Sequence, residues 1–559
     1  MAGGHEHELR RGRAGLAARE NRLTIAVGGF SLCGILLFVG LAAAALLVQG
    51  GGDGNGLFDA YVWRVSRFTL LQASLSTALS ILFAIPVARA LARQPTFPGR
   101  VWMLRLMALP LGLPALVAAL GLIEIWGKQG ALNRLLAATG LVEAISIYGL
   151  FGILLAHVFF NMPLAARLML AGLERIPAEY WRTSANLGMG SLAVFRFIEW
   201  PVIRGLLPGI AGLVFMLCAT SFTLVLTLGG GPAASTIEVA IYQALRFDFD
   251  PPRAIALAGL QILLTGTLLF ILKFVAPPPE EAETSGKAVR RFDGRSRLSR
   301  MSDRAWLVIA LFFVGTPFVA VVTSGMQADL SRLVRESAFH HALATSVLIA
   351  LPSAMIAVTI AALMIRTQRL LLAPTTPARR RPMSARLFAG TIGASTSLVL
   401  LAPPIVLGAG WFLLLRPLGD VSRFAPFVVI AINALMALPF VHRVLAPAMA
   451  SHAARTERLA ASLGIGGFHR LRWIDWPPLQ KPIFMALSFA LALSLGDLGA
   501  IALFGSQDLA TLPWLLYSRM GSYRTADAAG LALMLGIICL VLTILGTAGE
   551  QRSPEGARP

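Results

Sequence analysis

The stretch "SANLGMGSLAVFRFIEWPVIRGLLPG", residues 184–209, is polar, basic and interrupted by glycines, although the chain around it is strongly apolar. A close copy, "AASLGIGGFHRLRWIDWPPLQKPIF", occupies residues 460–484. The two copies align at an offset of 276 residues without a gap, so that Gly188 matches Gly464 and Pro201 matches Pro477. A repeat of this length predicts that the chain is built from two related halves.

The composition indicates an all-α polytopic membrane protein. The 559 residues are 56% hydrophobic and only 14% charged, and long apolar runs recur from end to end. Such runs are typical of membrane-spanning helices. We predict about twelve spans, six in each half, centred at about residues 36, 79, 113, 158, 214 and 265, and then 314, 352, 400, 435, 493 and 537.

The same pattern predicts how the chain is divided. Residues 1–276 form the first repeat, residues 277–304 a polar cytoplasmic linker, and residues 305–559 the second repeat. Because each half has an even number of spans, we expect two parallel repeats related by an axis along the membrane normal.

The basic residues predict the orientation of the chain. The net charge is +20, but the charges lie in short loops between spans, which argues against a nucleic-acid partner. With the N-terminus inside, 36 of the 48 Lys and Arg residues fall in inner segments and the other 12 in outer loops. This bias predicts that both termini, the linker and both copies of the repeated segment are cytoplasmic.

The repeated segment has the features of a docking surface. Residues 177–187 can form a short helix, Gly188 and Gly190 interrupt it, and residues 191–200 offer a second short helix that we expect to end at Pro201. Two such helices at a sharp angle would form a compact knob, and a knob that occurs twice suits a two-fold symmetric partner. The alternative is an ordinary cytoplasmic loop with two glycine turns.

The segment resembles the cytoplasmic signature loop of ABC-importer permeases. In both copies the proline follows the glycine by thirteen positions, and the endings are Ile198-Glu199-Trp200-Pro201 and Ile474-Asp475-Trp476-Pro477. The family's Glu-Ala-Ala triplet is absent, since "RTS" and "RLA" stand in its place. The resemblance implies that each loop docks in a cleft of an ATPase subunit. The implied coupling residues are Arg182, Gly188, Gly190, Arg196, Glu199 and Pro201, and Arg458, Gly464, Gly466, Arg472, Asp475 and Pro477.

Four further stretches narrow the resemblance. They are "GILLAHVFFNMPLAARLML", "LGGGPAASTIEVAIYQALRFDFDPPRA", "LSLGDLGAIALFGS" and "TLPWLLYSRMGSYRTADAA". They resemble the fused permease of the bacterial importer of thiamine and thiamine diphosphate. This implies an inner-membrane protein that works with a periplasmic binding protein and two copies of an ABC ATPase. The alternatives are a ferric-iron permease of the same layout, a twelve-span secondary transporter, and a membrane-embedded enzyme.

The chain lacks the residues that ATP chemistry would need. A phosphate-binding P-loop requires Gly-Lys followed by Ser or Thr, and none of the four lysines is followed by either residue. We therefore expect no enzyme activity and no cofactor in this chain, with ATP bound by a separate subunit. The three cysteines lie in separate apolar runs, so we expect neither a disulfide framework nor a metal site.

Polar residues inside the apolar runs are the candidates for a translocation path, because burying them in lipid is costly. Asp497 stands alone in its run, and its repeat counterpart is Ser221. His157 and Asn161 share one helix face. Asp497 could contact a cationic substrate, or its carboxylate could instead be held by neighbouring donors and fix its span in place.

Overall fold

The computed structural model describes residues 2–49, 59–139, 146–231, 234–275, 291–294, 296–372, 383–398, 402–463, 465, 467–506, 509–522 and 524–547. These residues form helices and the turns between them, and no strand occurs among them. The helical fold satisfies the backbone polar groups within each segment, as a lipid environment requires. The predicted fold class is confirmed.

The helices of the first half vary widely in length. They are α1 (Ala2–Gln49), α2 (Ala60–Arg93), α3 (Arg100–Leu106), α4 (Leu109–Gly112), α5 (Ala115–Trp126), α6 (Ala131–Thr139), α7 (Leu150–Leu173), α8 (Ala178–Asn186), α9 (Ser191–Val194), α10 (Trp200–Ala219), α11 (Thr223–Leu228), α12 (Ile237–Arg246) and α13 (Pro251–Val275). A π-helical turn, Phe195–Glu199, joins α9 to α10.

The second half follows the same order. Its helices are α14 (Arg297–Gln327), α15 (Leu330–Arg335), α16 (Ser337–Leu372), α17 (Met383–Leu398), α18 (Pro404–Leu415), α19 (Ala425–Ser462), α20 (Gly467–Arg470), α21 (Trp476–Gly496), α22 (Gly499–Phe504), α23 (Leu512–Gly521) and α24 (Thr525–Thr547). A second π-helical turn, Leu471–Asp475, joins α20 to α21 and lies 276 residues after the first. The sequence repeat is therefore also a repeat of helices and of their irregularities.

Eleven helices of the described part of the chain are long and apolar enough to cross a membrane. The ninth span, expected at about residue 400, is interrupted: α17 ends at Leu398 and α18 begins at Pro404. The third candidate span is Ala115–Thr139, later than the expected centre, because Pro114 starts a new helix there. Proline lacks the N–H that a continuous helix needs, which explains both interruptions.

The described residues pack into two compact units that do not follow the order of the chain. One unit contains residues 2–49, 337–514 and 537–547, and the other contains the described residues of 59–336 and 515–536. The first helix of each half packs with the other half. Helix α1 of the first half packs on α16 and α18 of the second half, whereas α14 of the second half packs on α2 and α5 of the first half. The boundaries predicted near residues 276 and 304 separate the two sequence repeats from the linker, and they stay a prediction.

Glycines permit the exchanged helices to pack closely. A Cβ atom at Gly410 of α18 would lie 2.4 Å from the carbonyl oxygen of Ala42 in α1. In the other unit, a Cβ atom at Gly121 of α5 would lie 2.6 Å from the carbonyl oxygen of Pro317 in α14. Small residues at such crossings bring helix backbones together, which is a main source of helix association in membranes.

Candidate functional site

The first repeated loop begins with a sharp turn after α8. Gly188 has φ +65°, and the N–H groups of Gly188 and Met189 donate to the carbonyls of Ala185 and Ser184 at 3.1 and 2.9 Å. This is the Schellman arrangement, which requires a left-handed residue after the helix end and therefore favours glycine. In the second loop Ile465 donates to the carbonyl of Ala460 at 3.0 Å, at the same repeat positions as Met189 and Ser184. Gly464 and Gly466 lie outside the described residues.

The second helix of the loop does not end at Pro201, as the sequence predicted. The chain runs from α9 through the π-helical turn into α10, and Pro201 lies in the first turn of α10. Pro477 holds the same place in α21. Because a proline has no N–H to donate, the carbonyl four residues before it loses its α-helical partner, and the wider π-helical turn accommodates that loss.

Both loops expose apolar and basic side chains together. In the first loop Leu187 and Phe197 are 72% and 66% exposed, and Arg182 and Arg196 are exposed beside them. The second loop exposes Leu463 and Trp473 at the matching positions, together with Arg472. The side chain of Arg458 lies outside the described residues. Exposed rings and apolar side chains with a basic rim are the composition of a protein-binding surface.

The arginine beside each exposed ring is repeated as well. The guanidinium of Arg196 lies 5.7 Å from the ring centroid of Phe197, and that of Arg472 lies 5.6 Å from the ring of Trp473. The two loops therefore present the same local pattern of charge and ring, which is the geometry expected for docking to two copies of one partner.

Glu199 does not belong to this exposed surface. Its side chain is fully buried, and its two oxygens accept hydrogen bonds from Arg89 Nε at 2.6 Å and from Arg291 Nη2 at 2.5 Å. Arg291 also donates to Asp293 at 2.8 Å and lies over the ring of Trp181 at 3.9 Å. Burial lowers the pKa of Arg291, but Asp293 and Glu199 offset this and hold that pKa above its ordinary value.

Arg93 extends this buried network to the start of α14. Its guanidinium lies 3.2 Å from Asp293 and 3.2 Å from Asp303, and its Nη2 donates to Ser191 Oγ at 2.6 Å. Gln94 donates to the other oxygen of Asp303 at 3.2 Å. The end of α2, the segment at residues 291–294 and the start of α14 are thus connected by charge to α9 and the π-helical turn. We call the six charged residues of this set the loop lock: Arg89, Arg93, Glu199, Arg291, Asp293 and Asp303.

The second loop has a weaker counterpart of the loop lock. Asp475, which matches Glu199, accepts from His452 Nε2 at 2.9 Å, lies 3.6 Å from Arg470 Nε, and keeps 15% of its side chain exposed. Arg369, which matches Arg93, donates to the carbonyl of Met449 at 3.0 Å. The two loops therefore share their surface pattern but differ in how firmly an internal acid holds them.

The candidate path residue Asp497 lies within the candidate span Leu471–Phe504, at the break between α21 and α22. Its carboxylate accepts hydrogen bonds from the N–H groups of Gly499 and Ala500, both at 3.2 Å, and so caps the start of α22. Ser221 lies at the matching break between α10 and α11. Paired interruptions of this kind are a feature of transporters, where unwound backbone lines a polar interior.

The other two candidates belong to a buried polar cluster between α2, α7 and α10. His157 Nδ1 pairs with Ser76 Oγ at 2.9 Å, and Asn161 Nδ2 donates to Cys218 Sγ at 3.3 Å. Gln72 Nε2 donates to the carbonyl of Cys218 at 2.9 Å. His157 Nε2 has no hydrogen-bond partner among the described residues.

The second half keeps a reduced form of this polar cluster. Asn433 donates to Ser494 Oγ at 2.9 Å, and these two residues match His157 and Cys218. The sequence placed His157 and Asn161 on one face, but it did not reveal their partners on α2 and α10. Among the described residues, no group of three or more His, Cys, Asp or Glu could hold a metal ion.

Comparison with known proteins gives near full-length similarities. No protein-family model matches the chain. The thiamine transport system permease protein ThiP of Brucella abortus (strain 2308) is 50% identical over 521 residues, which are 93% of this chain and 94% of that protein. ThiP of Escherichia coli (strain K12) is 43% identical over 87% of this chain and 88% of that protein. The sulfate transport system permease protein CysW of Synechococcus elongatus is 30% identical over 35% of this chain and 69% of that protein.

Proposed function

The chain belongs to the family of thiamine transport system permease proteins, and from that premise we propose how it works with its partners. It is a multi-pass protein of the bacterial inner membrane and a permease subunit of an ABC importer for thiamine. The resemblance found in the sequence is thereby confirmed. The alternatives of a ferric-iron permease and a secondary transporter are not favoured, since the near full-length relatives are thiamine permeases.

In the proposed complex, two copies of an ATPase subunit dock on the two repeated loops from the cytoplasm, and a periplasmic binding protein delivers thiamine or thiamine diphosphate to the outer side. Both termini lie in the cytoplasm. The chain itself hydrolyses no ATP and needs no cofactor. The observation that carries this proposal is the matched pair of loop surfaces, with Leu187 and Phe197 in one and Leu463 and Trp473 in the other.

The structure of the first loop suggests how a movement of the ATPase reaches the spans. The loop lock joins α9 and the π-helical turn to the inner end of α2 and to the start of α14. A push on the loop would therefore displace two spans together with α10. In the second loop the push would pass chiefly into α21, which continues directly from its π-helical turn.

The deciding experiment is uptake by the reconstituted complex. The permease, its ATPase and its binding protein are placed in proteoliposomes, and labelled thiamine is supplied with the binding protein outside and ATP inside. The proposal expects accumulation that requires all three proteins and ATP hydrolysis. Uptake that persists without the ATPase, or no uptake by the complete complex, would refute it.

A further inference from the structure

Glu238 is a buried acid that the preceding sections leave without a role. It is the second residue of α12, and its side chain is fully buried. Neither of its carboxylate oxygens has a hydrogen-bond partner among the described residues. Glu199 and Asp497, by contrast, each accept two hydrogen bonds. An acid buried without a partner is costly to the fold, and such groups are kept where they serve a function.

The helix that carries Glu238 is fixed in place. The N–H of Ile237, at the start of α12, donates to Thr69 Oγ1 of α2 at 3.0 Å. Tyr242 follows Glu238 by one helical turn on the same face, and it is 2% exposed. A side chain held on such an anchored helix keeps a defined position, which a selective site requires.

Two aromatic rings contact Tyr242 of α12. The ring of Tyr242 packs edge-to-face against Phe222 with centroids 5.4 Å apart, and against Phe247 at 5.6 Å. Phe222 follows Ser221 directly, so it belongs to the break between α10 and α11. A helix break, three aromatic rings and an unpaired carboxyl group therefore lie in one neighbourhood.

The repeat counterpart of Tyr242 belongs to the same compact unit as Tyr242. Tyr517 of α23 matches Tyr242 at an offset of 275 residues. The residue that matches Glu238 is Pro513, so the charge occurs in one copy alone.

We propose that Glu238 is the acid that receives a cationic heteroaromatic substrate during translocation, with Tyr242 and Phe222 offering ring faces beside it. The proposal rests on the thiamine transport function given above, since the thiazolium ring of thiamine has a fixed positive charge. Burial raises the pKa of the Glu238 carboxyl group well above its ordinary value, which favours the protonated form until a cation arrives. An arriving cation stabilises the ionised form by Coulomb attraction, and aromatic faces attract cations as well. Asp497 is less suited to this role because its carboxylate already caps α22.

The test compares charge removal at Glu238 with charge removal elsewhere in the same half. Glu238→Gln keeps the size of the side chain and removes its charge, whereas Glu124→Gln does the same for a partly exposed acid near the end of α5. Thiamine uptake is measured in proteoliposomes of the complete complex at increasing concentrations of loaded binding protein. We expect kcat to fall at least about tenfold for Glu238→Gln, and uptake by Glu124→Gln to equal that of the wild type.

Two further variants and a stability measurement separate binding from structure. Tyr242→Phe keeps the ring face and should retain uptake, whereas Tyr242→Leu should lose it. Replacing a buried acid that has no partner should not lower the unfolding temperature, whereas removing a structural group would lower it. If Glu238→Gln does not assemble, Glu238→Asp takes its place, and we expect it to keep more than half of the wild-type uptake because the charge remains.

The outcomes distinguish this inference from the proposed function. Failure of the wild-type complex to take up thiamine would overturn the function itself. Wild-type uptake together with an unchanged kcat in Glu238→Gln would overturn the role of Glu238 alone, as would a loss of uptake that matches a fall in unfolding temperature. Equal uptake by the two Tyr242 variants would remove the aromatic part of the proposal.

Discussion

Replacing Glu199 by glutamine should weaken the attachment of the first loop to α2 and to the start of α14. The substitution keeps the size of a fully buried side chain but leaves Arg89 and Arg291 without the acid that they share. Removing one partner of a buried ion pair costs about 3–5 kcal/mol. Arg291 keeps Asp293 as a second partner, so we expect a cost near the lower end, about 3 kcal/mol.

A change of this size has a measurable local effect. If this cost destabilises the state in which the loop lock holds the first loop, the equilibrium constant for local opening of the loop rises roughly 100-fold. Hydrogen exchange of the amides in α9 and the π-helical turn should accelerate by a similar factor, since exchange reports local opening. ATP hydrolysis stimulated by the loaded binding protein should fall, because the loop would then move without α2 and α14.

The second loop supplies the matched control. Asp475→Asn removes the acid at the equivalent position of the second loop. Because this side chain is partly exposed and its ion pairs are longer, the substitution should lower the free energy that holds the loop by at most about 1 kcal/mol. In a background with Arg291→Met, the Glu199 substitution should cost less than it does alone, because the two residues share one interaction. Equal exchange rates in Glu199→Gln and wild type, or equal effects in the two loops, would refute the idea that the loop lock holds the first loop.

Three further predictions concern single positions. Gly188→Val should reduce stimulated ATP hydrolysis, because a β-branched residue at φ +65° is strained by at least about 1 kcal/mol. The control Gly205→Val, at a helical position with open space around it, should leave stimulated ATP hydrolysis unchanged. Asp497→Asn should lower the unfolding temperature through a weakened cap of α22, and a variant that is as stable as wild type but transports no thiamine would favour a direct role in the path instead. Gly410→Ala should lower the free energy of unfolding by about 1–3 kcal/mol because its Cβ meets the backbone of α1, while Gly390→Ala, with open space around it, serves as the control in a thermal unfolding assay.

The sequence by itself determined the class of the protein, its repeat and the general course of the chain. Apolar runs predict membrane helices because burial in lipid requires about twenty apolar residues in a row, a property of local sequence. The copies at residues 184–209 and 460–484 predicted the repeat, and the helices and π-helical turns recur at the same offset. The turn at Gly188 was also predictable, since a positive φ is a local requirement that glycine meets.

Only the tertiary structure decided which polar groups are paired. Glu199 stands in a polar loop and was expected on its surface, but its partners Arg89 and Arg291 are 110 and 92 residues away in the sequence and bury it. Asp497 lies within a candidate span, as the sequence predicted, but the helix ends beside it and its carboxylate accepts hydrogen bonds from two backbone N–H groups. The cost of burying a charge depends on what surrounds it, and contacts between distant segments leave no local pattern in the sequence.

The exchange of α1 and α14 between the two compact units was invisible for the same reason. Both helices are apolar, and their composition suits many neighbours equally well, because apolar side chains gain little by leaving lipid for one another. What selects the partners is close fit, at Gly410 against Ala42 and at Gly121 against Pro317. Shape complementarity of this kind arises only when the helices are brought together, so the sequence could predict the spans but not which of them pack against each other.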